Sequence, residues 1–262
     1  MNTQVFQALL DGLLMGGVYS LAALGLTLIF GVMKITNFAH GAMMTVGMYV
    51  VYVVSTGLGI SPYIALIFSA ITLFALGYVI QRFFIHRISD SPTHNQLLLT
   101  LGIAYILENT LLAVFTPNYK NLEVEGLPGV IQLGDISVNP AKLIAFAVVL
   151  VVTAAIYVVL YRTRIGKAIR ACSQNREGAQ LMGVVIKNTS AIAFGIGALC
   201  TGIAGSLLTP ILSIYPTLGE TFQLKCFVIA ILGGMGNLWG ALISGLIVGV
   251  VESLTGYFAG GS

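Results

Sequence analysis

Apolar side chains dominate seven stretches of the chain, near residues 5 to 31, 41 to 56, 62 to 81, 96 to 116, 141 to 161, 189 to 214 and 222 to 258. A helix crossing roughly 30 Å of hydrocarbon needs about 20 mostly apolar residues, and several of these runs supply that length. The last run is too long for one simple crossing. Gly233, Gly234, Gly236 and Asn237 stand in its middle and predict a break between two shorter helices. The first run lacks a basic leader and a small-residue cleavage site, so it is expected to remain as a span. The pattern predicts an all-α integral membrane protein. One domain, residues 1–262, would form a polytopic helical bundle of about eight spans or half-spans, with broken helices.

Composition agrees: 57% of the 262 residues are hydrophobic and 8% are charged, against about a quarter charged in soluble domains. The charges are placed unevenly. Six of the twelve basic residues, Arg162, Arg164, Lys167, Arg170, Arg176 and Lys187, lie in the loop 162–187, where Glu177 is the only acid. Positive charge stays in the cytoplasm, so this loop is expected inside. The preceding loop carries Glu123, Glu125 and Asp135 against Lys120 and is expected outside. The one before carries Arg82, His86 and Arg87 with Asp90 and is expected inside. Counting back puts Lys34 inside and the N-terminus outside.

Several chemistries are absent from the sequence. The net charge of +3 is concentrated in one loop, without the aromatic interleaving of a nucleic-acid surface. Cys172, Cys200 and Cys226 are too scattered for a metal site or a disulfide framework and read as packing residues. Gly166-Lys167 is followed by Ala168, with Tyr161 where a P-loop would have its first glycine, so the chain is not expected to hydrolyse ATP. No H-E-x-x-H or G-x-S-x-G occurs, and His40, His86 and His94 lack ligand spacing. No catalytic or metal site is expected.

What remains are polar groups inside apolar runs, which in lipid must face protein or a watery cavity. Around Lys34 to Gly41 a long span ends, Asn37 can cap a new helix, and Gly41 permits a tight turn. This reads either as a broken or re-entrant helix, whose free N–H groups would suit a carboxylate or carbonyl oxygen, or as a simple cytoplasmic turn. The second break, with Gly236 and Asn237 before Gly240-Ala241, echoes Asn37 before Gly41-Ala42. Five apolar runs lie between them, which would orient the echoes oppositely, as in inverted repeats. Glu108 and Asn109 interrupt the run 96 to 116 and read as cavity-facing groups or as a bond between helices. Glu252 reads as lying near a membrane edge or an interface. With Asn37, His40 and Gly41, the candidate solute path comprises Glu108, Asn109, Gly236 and Asn237. The pairs Gly12/Gly16, Gly236/Gly240 and Gly245/Gly249 allow close helix approach.

The loop 162–187 alternates apolar and polar positions at helical spacing and predicts a short amphipathic helix. Ala179, Leu181 and Met182 are available to a partner groove, with Arg170, Arg176, Glu177 and Gly183 around them; a membrane-surface helix is the other reading. An ion-gradient carrier using Glu108 or Glu252 is the rival function, distinguished by needing no ATPase; an uncoupled channel is a third.

Four segments carry a resemblance: G-L-T-L-I-F-G-V-M-K-I-T-N-F-A-H-G (25–41), R-x-x-x-G-K-A-I-R-A (162–171), N-R-E-G-A-Q-L-M-G-V (175–184) and A-I-L-G-G-M-G-N-L-W-G-A (230–241). Together the chain resembles branched-chain amino-acid ABC permeases of the LivH type. The resemblance implies a non-catalytic, multi-pass subunit of a bacterial-type inner (plasma) membrane. It would import branched-chain or other amino acids, or alternatively urea or a short amide. Its partners would be a second permease of the LivM type or a copy of itself, two cytoplasmic P-loop ATPase subunits and an extracytoplasmic solute-binding protein. This chain itself would bind no cofactor; ATP and Mg²⁺ would bind at the ATPases. Residues 175–184 would then be the coupling loop against the ATPase. Two features depart from the family pattern. Ala42 stands where an acidic residue usually follows N-F-A-H-G, and family members generally continue past the position of Ser262 into one more span and a basic tail, which leaves room for a truncated chain.

Overall fold

The computed structural model describes residues 2–89, 91–122, 124, 129–133 and 136–260. Asp90, Glu123, Glu125, Asp135 and Ser262, used above for charge placement and the chain end, lie outside the described residues. The elements run α1 (Asn2–Met33), α2 (His40–Leu58), α3 (Pro62–Phe83), a 3-10 turn (Ile85–Ile88) and α4 (Thr93–Phe115). A short antiparallel hairpin follows, β1 (Ile131–Leu133) with β2 (Ile136–Val138). The rest is helical: α5 (Pro140–Arg162), α6 (Arg164–Gln174), α7 (Arg176–Leu181), α8 (Ile186–Leu208), α9 (Leu218–Leu232) and α10 (Leu238–Gly260).

Local chemistry fixes many of these ends. Prolines open α3 and α5 in the first turn, where a missing N–H costs nothing, and the Asn139 side chain accepts a bond of 2.9 Å from Ala141 N–H. Gly59 closes α2 with φ +64°, and Lys34 ends α1 with φ +57°. Between α9 and α10, Gly234 and Gly236 take φ +81° and +96°, which glycine adopts without penalty, and the Asn237 side chain accepts from Gly240 N–H at 3.2 Å.

Among the described residues, α1, α2, α3, α4, α5, α8 and α10 are long and apolar enough to cross a bilayer. With 15 residues, α9 reaches only about 22 Å and is a half-span. The sequence run 189 to 214 overstates its helix. Pro210 offers no N–H, so the hydrogen-bond ladder of α8 is interrupted after Leu208, although Thr209 keeps helical angles. Residues 209–217 return into the bundle without helix, with Thr209, Ile214 and Pro216 buried and Ile211, Leu212 and Tyr215 partly so.

The two central helices are α1 and α8, whose spans are mostly buried, while α3, α4, α5 and α10 show most of theirs to the surroundings. The most extensive pairings are α1 with α10 and α3 with α8. Along the first, a Cβ on Gly12 would sit 2.7 Å from the Gly249 carbonyl oxygen and one on Gly16 would sit 2.9 Å from that of Gly245. These are the glycine pairs visible in the sequence, and they set the two backbones in antiparallel contact.

Exchanging α1–α2–α3 with α8–α9–α10 maps α1·α10 onto α8·α3 and α2·α8 onto α9·α1, all of which pack against each other. A two-fold relation also requires residues near its axis to meet their own counterparts. Two glycine pairs do so: Gly25 packs on the Gly197 carbonyl and Gly197 on that of Gly25, and Gly41 and Gly219 do likewise. The inverted repeat therefore relates the break at 34–39 to the segment 209–217. The echo between Asn37 and Asn237 is not the symmetric pair. The half-span α9 is a sixth element between those two breaks, so both follow helices running the same way, and Gly31 lies against Gly236.

Nine basic residues gather at this end of the bundle: Lys34 after α1, Arg82 and Arg87 after α3, and Arg162, Arg164, Lys167, Arg170, Arg176 and Lys187 around α6 and α7. Arg82 donates to Asn188 at 2.6 Å, tying α3 to α8 there. At the other end lie the hairpin, Lys120 paired with Ile214 through the backbone, and the Lys142–Asp11 ion pair at 2.7 Å. The positive-inside rule makes the first end cytoplasmic.

Candidate functional site

The break after α1 carries the chain back into the bundle. His40 opens α2 beside the middle of α1, its Nε2 lying 2.9 Å from the Ala22 carbonyl oxygen. A carbonyl only accepts, so this nitrogen carries the proton. Thr201 of α8 stands 2.7 Å from the same nitrogen and donates to Gly197. Asn37 turns its side-chain oxygen onto Ala39 N–H at 3.0 Å, an Asx turn immediately before the helix. Asn37 and His40 are both fully buried.

No side chain at the N-cap residue Ala39 satisfies the start of α2. That work falls to Gln223 of α9, whose Oε1 accepts from Gly41 N–H at 2.5 Å and whose Nε2 donates to the Asn37 carbonyl at 3.1 Å. On the broken-helix reading this helix end would suit a solute carboxylate, and its Gly41 N–H is taken by an amide from the opposing half-span. Gly41 is helical, and its missing side chain admits Gly219 rather than permitting a tight turn. Gln223 escapes a reading of the sequence alone, although a lone amide inside an apolar run is its signal.

Replacing Gln223 by alanine would strand a donor and an acceptor where no water reaches them, each worth about 1 to 3 kcal/mol. The expected result is a loss of about 2 to 5 kcal/mol in the stability of the purified permease, read by thermal unfolding in mild detergent. Gln223→Glu keeps the acceptor for Gly41 and should lose less.

The other candidate path residues do not join this cluster. Gly236 and Asn237 sit at the cytoplasmic turn, near Gly31, about 13 Å along α1 from Ala22. Asn237 is exposed and caps α10. Glu108 is buried on α4, with Glu220 in the first turn of α9 as its charged neighbour, while Asn109 is exposed and bonds back to the Tyr105 carbonyl at 2.8 Å. Glu252 pairs at 2.6 Å with Lys225 of α9, which also covers the Tyr19 ring at 4.9 Å. On the otherwise apolar helices α9 and α10, Glu220 and Glu252 are exposed and Lys225 is half-buried.

On the cytoplasmic side the expected amphipathic helix is two helices. Thr163 caps α6 through Gly166 N–H at 3.0 Å, and Asn175 caps α7 through Gly178 N–H at 2.8 Å. Ile169 and Cys172 bury the inner face of α6, and Ala179 anchors α7. Burial pushes the Cys172 thiol above its ordinary pKa, as suits a packing residue. After α7, Gly183 takes φ +84°, with Val184 N–H on the Ala179 carbonyl and Gly183 N–H on that of Gln180. This Schellman closure presents Leu181 and Met182 outward, 88% and 85% exposed, more than any other large apolar side chain described. Arg176, Glu177, Gln180 and Gly183 line one wall of a cleft of about 670 Å³ whose other wall holds His86 and Ser89 after α3. Arg170 points the other way, its guanidinium 4.5 Å over the Tyr161 ring.

Comparison with known proteins gives the family. The family model for the branched-chain amino acid transport system permease component matches residues 8–261. The high-affinity branched-chain amino acid transport system permease protein BraD of Pseudomonas aeruginosa is 30% identical over 94% of this chain and 85% of its own. LivH of Escherichia coli is 27% identical over 95% and 85%. A probable LivH of Methanocaldococcus jannaschii is 31% identical over 91% and 77%. No solved structure matches the chain. A bundle built on an inverted repeat of broken helices, with a capped cytoplasmic helix pair at its basic end, belongs to the family of branched-chain amino acid transport permease components.

Proposed function

We propose that this chain is the membrane-spanning subunit of an ATP-driven importer of branched-chain or other amino acids in an inner (plasma) membrane. The observation that carries this reading is the pair Leu181–Met182. Two large apolar side chains held out into water by a capped helix need a protein groove to cover them, and a cytoplasmic P-loop ATPase supplies one. ATP and Mg²⁺ bind there, and the permease breaks no covalent bond.

Helix α2 and the half-span α9 meet through bare backbone at Gly41 and Gly219 and through Gln223, a contact with no side chain to unlock at its two glycines. We place alternating access at this crossing. Glu220, Lys225 and Glu252 suit a face covered by a second permease of related sequence, or a copy of this chain, because charges on a lipid-facing surface are costly. An extracytoplasmic binding protein delivers the solute to the opposite end.

Purification from native membranes in mild detergent, with identification of co-eluting proteins and an assay of ATP hydrolysis and leucine uptake in liposomes, tests this. Recovery of a P-loop ATPase and ATP-dependent uptake are expected. A chain that elutes alone and transports under an ion gradient without ATP would refute it.

A further inference from the structure

We propose that the cytoplasmic end of this permease holds an anionic phospholipid, with its phosphate against Arg170 and an acyl chain in the groove between α5 and α10. A cavity of about 240 Å³ opens where α1, α5, α6 and the α9–α10 turn meet. Arg170, Ser173, Gln174, Thr27 and Asn237 provide its polar wall, and none of its lining residues is acidic. Two polar atoms there lack partners. Thr27 Oγ1 belongs to a residue that is completely buried, and Arg170 Nε is likewise covered without an acceptor. Buried donors without acceptors are expensive, and a small rotation of either side chain toward the cavity would give it an anionic acceptor.

The cavity continues into a narrow apolar groove through four shared residues, Leu160, Tyr161, Leu238 and Trp239. Leu24, Thr153, Ile156 and Leu242 line this groove deeper in the bilayer, a slot of about 30 Å³ that takes the start of a chain lying along α5 and α10. A ladder of rings joins the two parts: Trp239 lies 5.7 Å from Tyr157, which stacks at 4.4 Å on Tyr161, under Arg170. Aromatic rings of this kind mark the headgroup level of a membrane, and the exposed Arg162, Arg164 and Lys167 add attraction for an anionic leaflet. A free anion would use only the polar half of this site. A phospholipid uses both, which is why we assign a lipid.

The test uses the intact, delipidated transporter complex. Phosphatidylglycerol, phosphatidylcholine and inorganic phosphate are added separately, with retention read by native mass spectrometry and stabilisation by thermal unfolding. Phosphatidylglycerol should be retained on the permease and raise its unfolding temperature, with phosphatidylcholine and phosphate well behind. Arg170→Gln should weaken retention about tenfold, the loss of one charge-assisted contact. Arg170→Lys should keep part of it, and Thr153→Phe, which fills the groove, should reduce it with the cavity charge intact. Unfolding without lipid separates these effects from misfolding. Equal retention of phosphatidylcholine, equal stabilisation by phosphate, or undiminished phosphatidylglycerol on Arg170→Gln would each overturn the assignment. So would loss of uptake in Arg170→Gln with lipid retention unchanged, which would put Arg170 on the solute's way out.

Discussion

Arginine in place of Met182 is expected to separate ATP hydrolysis from solute uptake while leaving the permease folded. Met182 is 85% exposed and follows the last turn of α7, so its side chain contributes little to the bundle. A surface substitution of this kind shifts stability by about 0.5 kcal/mol or less. In a partner groove the balance differs. An apolar anchor at an interface centre is worth about 2 kcal/mol or more, and a buried unpaired charge adds to the loss. The affinity for the ATPase should therefore fall by about thirtyfold or more. Uptake in liposomes carrying the complete complex should fall with it, and any residual ATP hydrolysis should no longer respond to solute. Gly183→Ala acts on the same tip by strain, since φ is +84° there, and should cost about 1 kcal/mol locally. Normal coupling in Met182→Arg with an unshifted unfolding temperature would mean that the exposed tip meets something other than the ATPase.

How much of the molecule is legible in the sequence depends on which force shaped each segment. Lipid imposes length and apolarity, so the crossing helices, the break at 233–237 and the glycine pairs of α1 and α10 can all be read directly. Positive charge at the cytoplasmic end can be read for the same reason. Residues 209–217 cannot, because a partly buried irregular segment can be as apolar as a helix: Ile211, Leu212 and Ile214 continue the run past Pro210. Pro210 is the available signal. The repeat is foreshadowed, but between the wrong segments. Its partners share geometry and a glycine at the contact, and 34–41 has little resemblance to 209–219 beyond that. Gln223 and Lys225 stay hidden because each has its partner on another element, Asn37 and Gly41 for one and Glu252 for the other. Pairings between distant segments leave no local pattern. Arg170 groups with the exposed loop by its place in the sequence, whereas helical phase turns it inward over Tyr161.

A single methyl group on Gly41 is expected to disrupt the centre of the molecule. Its Cβ would overlap the Gly219 carbonyl group, and 2.9 Å away it would also meet the Gln223 side chain that caps α2. Backbone cannot yield as the end of a long side chain can, so α2 and α9 would have to part. Overpacking costs about 1 to 3 kcal/mol in an adaptable core, and here the separation also breaks the two Gln223 bonds. The expected loss for Gly41→Ala is about 3 kcal/mol or more, with Gly219→Ala similar because the contact is reciprocal. Gly57 and Gly102 are helical glycines where an added Cβ would meet nothing within 4 Å, and alanine at either should be neutral or slightly stabilising. Thermal unfolding of the four variants separates a crossing that depends on bare backbone from a general intolerance of alanine. The combination of Gly41→Ala with Gln223→Ala carries the argument further. If the methyl acts partly by breaking the glutamine's bonds, the double variant should lose clearly less than the sum of the two single losses. Additive losses would mean that the amide and the glycine contact stabilise the crossing independently. A crossing held by one shared contact can release as a unit, which is what a moving element at the centre of a transporter requires.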